Sequence, residues 1–202
     1  MAERSKRLVA VDAAIFSIIE GKLKVFLLER EKEPFKGCLE LLGGFVLEDE
    51  TCEMALQRKL SSISEGKISF TQFAVFSKPS RDPRNEVISI GYLSLASNDV
   101  QLRLGKFYDI NNLPKMSFDH KEIALKAREH LRKNADSMLN KESMPGFFPL
   151  NDLQKAYEIL LGKRLDNRNF RKKMILSGIA KPANITQKSV GHRPAMLYRM
   201  EK

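Results

Sequence analysis

The chain has 202 residues, 43% apolar and 30% charged, which suits one large or two modest soluble globular domains. No apolar run approaches the ~20 residues of a bilayer-spanning helix. The opening Met-Ala-Glu-Arg-Ser-Lys-Arg lacks the apolar core of a secretory signal, so a cytoplasmic protein with no membrane partner is expected. Cys38 and Cys52 lack the second pair that a disulfide or metal-ligand pattern needs, and they read as ordinary reduced thiols; neither a metal nor a cofactor is expected. The net charge of +10 is unevenly spread, because residues 147–202 hold 12 Lys/Arg against 4 Asp/Glu while residues 1–146 hold 23 against 21. A positive excess confined to the last quarter of the chain is the footprint of a nucleic-acid or anionic-membrane partner. A membrane surface would call for a long basic amphipathic helix, whereas this region has the composition of a small compact domain.

In chain order, the first elements read as strands. Leu8–Ile19 is rich in Val, Ile and Phe, and after Glu20-Gly21 the alternating Lys22–Glu29 predicts a hairpin. Pro34-Phe35-Lys36-Gly37 marks a loop, and residues 39–47 are apolar but carry Gly43-Gly44, a turn or a close backbone approach. A helix is predicted from Thr51, an N-cap, to Ser64, with Leu56, Leu60 and Ile63 on one stripe. Strands over 68–77 and 86–96 flank a rigid charged loop, Lys78-Pro79-Ser80-Arg81-Asp82-Pro83-Arg84. Asp119 and Glu122 have capping-box spacing for a helix running to about Leu139. Strands and two helices in an irregular order predict an α/β domain with a mixed sheet over residues 1–140. The polar segment 135–146, ending in Pro-Gly, is the expected boundary with a second domain over 147–202.

In that second domain Leu150, Leu153, Tyr157, Leu160 and Leu161 share one helical face, which Gly162 closes. Asp166 then caps a second helix that ends at Gly178. Two helices joined by so short a turn fit a helix-turn-helix. Phe170 and Met174, four apart, face inward, while Asn167, Arg168, Asn169, Arg171, Lys172 and Lys173 are the candidates for phosphates and base edges. Two strands follow, around a polar loop in which Thr186, Gln187, Lys188, His192 and Arg193 have the character of a wing. Taken alone, a basic helix is as readily a solvated face, and a lone His192 a hydrogen-bonded surface histidine.

Three separated stretches resemble the C-terminal winged helix of the Nudix-related transcriptional regulators, the NrtR family. They are Phe148-Pro149-Leu150-Asn151-Asp152-Leu153-Gln154, Gly162 through Met174, and Gly191-His192-Arg193-Pro194-Ala195 before Leu197-Tyr198-Arg199. Residues 44–63 resemble a Nudix box in which Gly44, Glu50, Arg58 and Leu60 keep the family spacing. The three later glutamate positions hold Lys59, Ser62 and Ile63 instead. These positions lie at i, i+3 and i+4 on one helical face, where glutamates would hold Mg²⁺ through hard oxygen ligands. The resemblance therefore implies an α/β/α sandwich of the Nudix type without catalytic residues, followed by a winged helix-turn-helix domain. It also places the Arg81-Asp82-Pro83-Arg84 loop beside a ligand pocket.

Candidate effector contacts are Arg30, Glu50, Arg58, Arg81, Asp82 and Arg84. Glu50 with Arg58 reads equally as a salt bridge fixing the loop to the helix, and Asp82 with its arginines as a stiffened turn. The expected protein is a DNA-binding regulator, a repressor, acting as a homodimer on double-stranded operator DNA. By resemblance its effector is ADP-ribose or another NAD-related nucleotide, with NAD metabolism genes as the regulated set. A sugar or sugar phosphate is the alternative effector, and a Nudix hydrolase or an RNA- or protein-binding scaffold the alternative class.

Overall fold

The computed structural model describes residues 6–187 and 194–201. Two compact units emerge. Among described residues, one holds the chain up to 16 with 24–94 and 99–130, and the other holds 17–23, 95–98 and the chain from 131 onward.

The first unit is organised by a seven-stranded sheet. Strands β1 (Leu8–Ile19) and β2 (Lys22–Glu29) form at the predicted bounds. Val11 and Ala13 through Phe16 are completely buried; a strand covered on both faces has no solvent side to alternate with, so its sequence is a nearly continuous apolar run. β3 (Leu39–Glu40) and β4 (Leu42–Phe45) precede α1 (Cys52–Ser61). Thr51 caps α1 as expected, accepting from the Met54 N–H at 3.2 Å, but the helix stops at Ser61 rather than Ser64. β5 (Thr71–Phe76), β6 (Val87–Leu95), β7 (Gly105–Asp109) and α2 (His120–Lys133) follow. The strand order is β3-β2-β1-β6-β5, with β4 on β1 and β7 on β2. Antiparallel pairs and a parallel bridge between Leu39 and Met116 make the sheet mixed, the α/β class that the sequence predicts.

Two expectations about the helical segment from Asp119 to Leu139 are corrected. Asp119 and Glu122 do not form a capping box: the Asp119 carboxylate accepts from the Arg81 guanidinium at 2.6 and 2.9 Å, and Glu122 pairs with Lys126 at 2.7 Å. The helix expected to reach Leu139 is interrupted at Asn134, whose backbone leaves the helical region, and resumes as the single turn α3 (Ala135–Met138).

In the second unit β8 (Phe148–Pro149) leads into α4 (Leu150–Leu161), which has the predicted bounds. Leu150, Leu153, Tyr157 and Leu160 are buried, and Gly162 ends the helix at φ 68°, where a left-handed backbone favours glycine. The turn to α5 (Asn167–Leu176) is held from α4: the Glu158 carboxylate accepts from the Leu165 N–H at 2.8 Å, and the Gln154 amide donates to the Leu165 carbonyl at 3.0 Å. Asp166 caps α5 by accepting from the Asn169 N–H at 2.8 Å. Phe170 and Met174 point inward, and Tyr157 meets Phe170 edge-on with ring centres 5.3 Å apart. β9 (Ala180–Thr186) and β10 (Met196–Met200) complete a three-stranded sheet in the order β8-β10-β9. Pro182, which has no N–H to give, sits in the edge strand β9.

A close backbone approach in the first unit lies between β1 and β4. Asp12 lies opposite Gly43, and a Cβ added to Gly43 would stand 2.4 Å from the Val11 carbonyl oxygen and 2.5 Å from an Asp12 carboxylate oxygen. Only glycine lets the strands pair here. Gly43→Ala is expected to destabilise the protein by ~1–3 kcal/mol through overpacking, measured by urea denaturation.

Candidate functional site

The first unit carries a cavity of about 550 Å³ whose wall combines strand ends, the Arg81–Arg84 loop and one face of α1. At its base Asp12, only 4% exposed, is the lone charge in the apolar run of β1. Its carboxylate accepts from the Ser89 hydroxyl at 2.5 Å and from the Arg81 guanidinium at 3.3 Å. His120 is fixed beside it: Nδ1 accepts from the Leu41 N–H at 3.0 Å, so the proton sits on Nε2, 3.4 Å from Asp12. Arg81 is thus bound by Asp12 and Asp119 and is almost wholly buried. Burial pulls its pKa down, but the hydrogen bonds and charges of the two carboxylates outweigh that and hold it above the usual arginine value.

Above this base the cavity is cationic and aromatic. Asp82 grips Arg84 with two hydrogen bonds of 3.0 and 2.6 Å and accepts from the Arg84 N–H at 2.9 Å. Burial would raise the Asp82 pKa, yet the Arg84 contacts prevail and lower it. Arg84 lies over the Phe118 ring at 5.4 Å and the Phe45 ring at 5.9 Å. Arg30 covers the same Phe118 at 4.8 Å and is held by Glu40 at 2.8 Å and the Pro34 carbonyl at 2.6 Å. Phe118 takes a left-handed backbone (φ 49°), an uncommon conformation for a bulky residue, and its ring is within reach of both guanidiniums. Four of the six sequence-derived effector candidates, Arg30, Arg81, Asp82 and Arg84, therefore line one cavity.

Glu50 and Arg58 are placed elsewhere. Arg58 donates to both Glu50 carboxylate oxygens and to the Phe45 carbonyl at 3.1 Å, while Glu50 also accepts from the Leu47 N–H at 2.8 Å. The Arg58 hydrogen bonds hold the Glu50 carboxyl down to about 2. The pair staples the 45–50 loop to α1 and does not line the cavity. Of the box positions, Lys59, Ser62 and Ile63 face the cavity together, as their spacing predicts. They do not suit a divalent cation: the Ser62 hydroxyl is given to the Lys59 carbonyl at 2.7 Å, and Ile63 is 2% exposed. Among the described residues no three His, Cys, Asp or Glu side chains gather as a metal site. Asp12, His120, Glu40, Phe45 and Phe118 escaped sequence reasoning; the only local signal was a charge inside the apolar run of β1.

In the second unit all six α5 candidates, Asn167, Arg168, Asn169, Arg171, Lys172 and Lys173, are exposed. Asn167 donates to Gln154 at 3.0 Å, Arg171 to Asn151 at 3.1 Å, and Lys173 pairs with Asp136 at 2.8 Å. The side chains of Arg168 and Lys172 have no such partner among the described residues. Arg168, Arg171 and Lys172 stand at i, i+3 and i+4 and form one cationic face. Thr186 ends β9 exposed and Gln187 is half-buried beyond it; Lys188, His192 and Arg193 lie outside the described residues.

Comparison with known proteins bears on both units. Residues 141–200 match the NrtR DNA-binding winged helix domain. Over 95% of its length the chain is 33% identical to the ADPR responsive transcriptional repressor NtrR of Acinetobacter baylyi, covering 81% of that protein. The chain belongs to the NrtR family. Its fold superposes on NrtR of Shewanella oneidensis, solved with a 27mer DNA, with a TM-score of 0.84 at 27% identity, covering 96% of this chain and 93% of that one. The Nudix domain of the same Shewanella protein, solved with ADP ribose, matches 63% of this chain and is itself 90% covered, with a TM-score of 0.57 at 29% identity. Over 118 residues, 54% of the chain, there is also 41% identity to the ADP-ribose pyrophosphatase of Methanocaldococcus jannaschii, 69% of which is covered.

As in the Shewanella regulator, the fold pairs a Nudix-type α/β unit with a winged helix. No helix among the described residues is long and apolar enough to cross a membrane. In this NrtR-family member the cavity wall rests on Arg81. Arg81→Met strands two carboxylates, one of them buried, and is expected to cost ~3–5 kcal/mol in urea denaturation. Adding Asp12→Asn should recover part of that loss, because one stranded charge is then removed.

Proposed function

We propose that this NrtR-family protein is a repressor that binds double-stranded operator DNA as a homodimer. ADP-ribose, held intact in the N-terminal cavity, would release it. Residues 1–140 would act as the sensing domain and 147–202 as the DNA-binding domain. The observation that carries the reading is the pairing, in one chain, of two features. One is a cationic, aromatic cavity beside an α1 face without carboxylates; the other is an exposed cationic face on the second helix of a winged helix.

Arg30 and Arg84 offer guanidinium planes over Phe118, and Phe45 offers a half-open ring, a lining suited to a flat base with an anionic diphosphate. A neutral sugar would leave those guanidiniums without an anionic partner, so the lining favours the nucleotide. The names of the Acinetobacter and Shewanella relatives support the same choice. A second cavity, about 660 Å³, lies between α3, α4 and α5, where Lys173 is engaged by Asp136 and Arg132 by the Leu160 carbonyl, which leaves Lys133 as its one cation without a partner among the described residues.

On DNA, Arg168, Arg171 and Lys172 meet phosphates and base edges, with Asn167, Asn169 and Lys173 at the border of that face. Thr186, Gln187, Lys188, His192 and Arg193 belong to the wing. Two copies related by a two-fold axis match a near-palindromic operator. Effector control requires that ADP-ribose bind the DNA-competent and DNA-free arrangements with different affinity.

Fluorescence anisotropy with operator duplex tests the interface. Arg168→Ala with Arg171→Ala should abolish specific binding, and residual binding should show a salt slope shallower by ~0.9 per lost phosphate contact. Normal operator binding by the double variant would remove the recognition-helix assignment. Saturating ADP-ribose should release bound operator; an unchanged operator affinity would exclude it as effector. Mg²⁺-dependent cleavage of ADP-ribose that disappears in Glu50→Gln would establish the hydrolase instead.

A further inference from the structure

The cavity meets α1 where a Nudix fold would hold its divalent cation, and the residues there do not fit one. Ser62 is committed to a backbone carbonyl and Ile63 belongs to the core. Lys59 is the one polar side chain of that face left over. It is half-buried, and its stem lies across the β4 backbone at Gly44: a Cβ there would stand 2.4 Å from the Lys59 Cε and 3.0 Å from Nζ. Glycine at 44 thus keeps open the course along which the lysine runs. Its ammonium makes no hydrogen bond or ion pair among the described residues, so its three N–H donors are available to a ligand. A fixed positive charge at this point also repels a metal ion and attracts phosphate oxygens.

We infer that Lys59 stands in for the divalent cation, so that the cavity binds a nucleoside diphosphate without metal. This rests on the proposed ADP-ribose reading and adds to it the means of neutralising the diphosphate. Arg84 and Arg30 are each partly neutralised by their own carboxylates, Asp82 and Glu40. Among the described residues Lys59 and Lys32 are the cations of this wall without a carboxylate partner. Lys32 is exposed, whereas Lys59 is half-buried at a box position and contributes the charge that a metal supplies in a carboxylate-lined box. An ammonium positions phosphate oxygens but prepares no water for attack, so the ligand is retained whole and leaves by dissociation. The response then follows ligand concentration and is indifferent to Mg²⁺.

The test is calorimetric titration of ADP-ribose into the full chain, once with excess EDTA and once with millimolar Mg²⁺. The unaltered protein should bind equally in both, within about twofold, while Lys59→Met should lose about tenfold or more in EDTA. Lys59→Arg, which keeps the charge, should retain most of the affinity, and an unchanged melting temperature in Lys59→Met would assign the loss to the missing charge. Binding by the unaltered protein that collapses in EDTA, or Lys59→Met that binds as tightly as the unaltered protein, overturns the role of Lys59 while leaving ADP-ribose as effector. No binding by the unaltered protein in either buffer overturns both readings.

Discussion

A buried guanidinium shared by two carboxylates organises the first unit. Arg81 reaches from the loop between β5 and β6 to Asp12 in β1 and to Asp119 just before α2, joining three segments far apart in sequence. Taking such charges out of water is costly, and the cost is met only where geometry and extra hydrogen bonds satisfy every partner. Ser89 supplies such a bond at Asp12, and His120, oriented by the Leu41 N–H, places its Nε2 3.4 Å from the same carboxylate. The network therefore sets the position of the 81–84 loop as well as the packing below it. Asp82 and Arg84, which form the cavity wall, are held where Arg81 anchors them.

This arrangement divides labour among residues that look alike in sequence. Four arginines in the first unit are sequence candidates, yet burial and partner choice separate them. Arg81 is structural, Arg58 is a clasp on Glu50, and Arg30 and Arg84 lie over Phe118 at the cavity. Arg103 is tied to Glu65 on the surface. The same sorting occurs on α5, where Lys173 faces Asp136 while Arg168 and Lys172 stay open. Charge counts locate such surfaces; the distribution of counter-charges decides which cations remain for a ligand.

What was legible in the sequence follows from how local each signal is. β1, β2 and α4 appear at their predicted limits because long apolar runs, an alternating hairpin arm and a left-handed glycine stop are written within a few residues. The Thr51 and Asp166 caps were readable for the same reason. Asp119 carried an equally good local signal, and it misled: a guanidinium 38 residues away competes better for its carboxylate than the helix N-terminus does. β7 went unread because it is short, half-exposed and defined by its pairing with β2. Within the site, the face of Lys59, Ser62 and Ile63 was legible from helical spacing, whereas Phe118 and His120 enter through a turn conformation that no periodicity encodes.

The burial of Ile63 has a consequence for how this sequence can change. A carboxylate at position 59 alone would face a hydroxyl turned away and a core isoleucine, one ligand where several are needed. A carboxylate at 63 would put an unpaired charge among apolar neighbours unless a metal arrived with it. A single carboxylate at 59 thus makes no metal site, and one at 63 lowers stability. A metal-binding box at these three positions therefore requires concerted substitution, because neither position 59 nor position 63 gains a ligand set by changing alone.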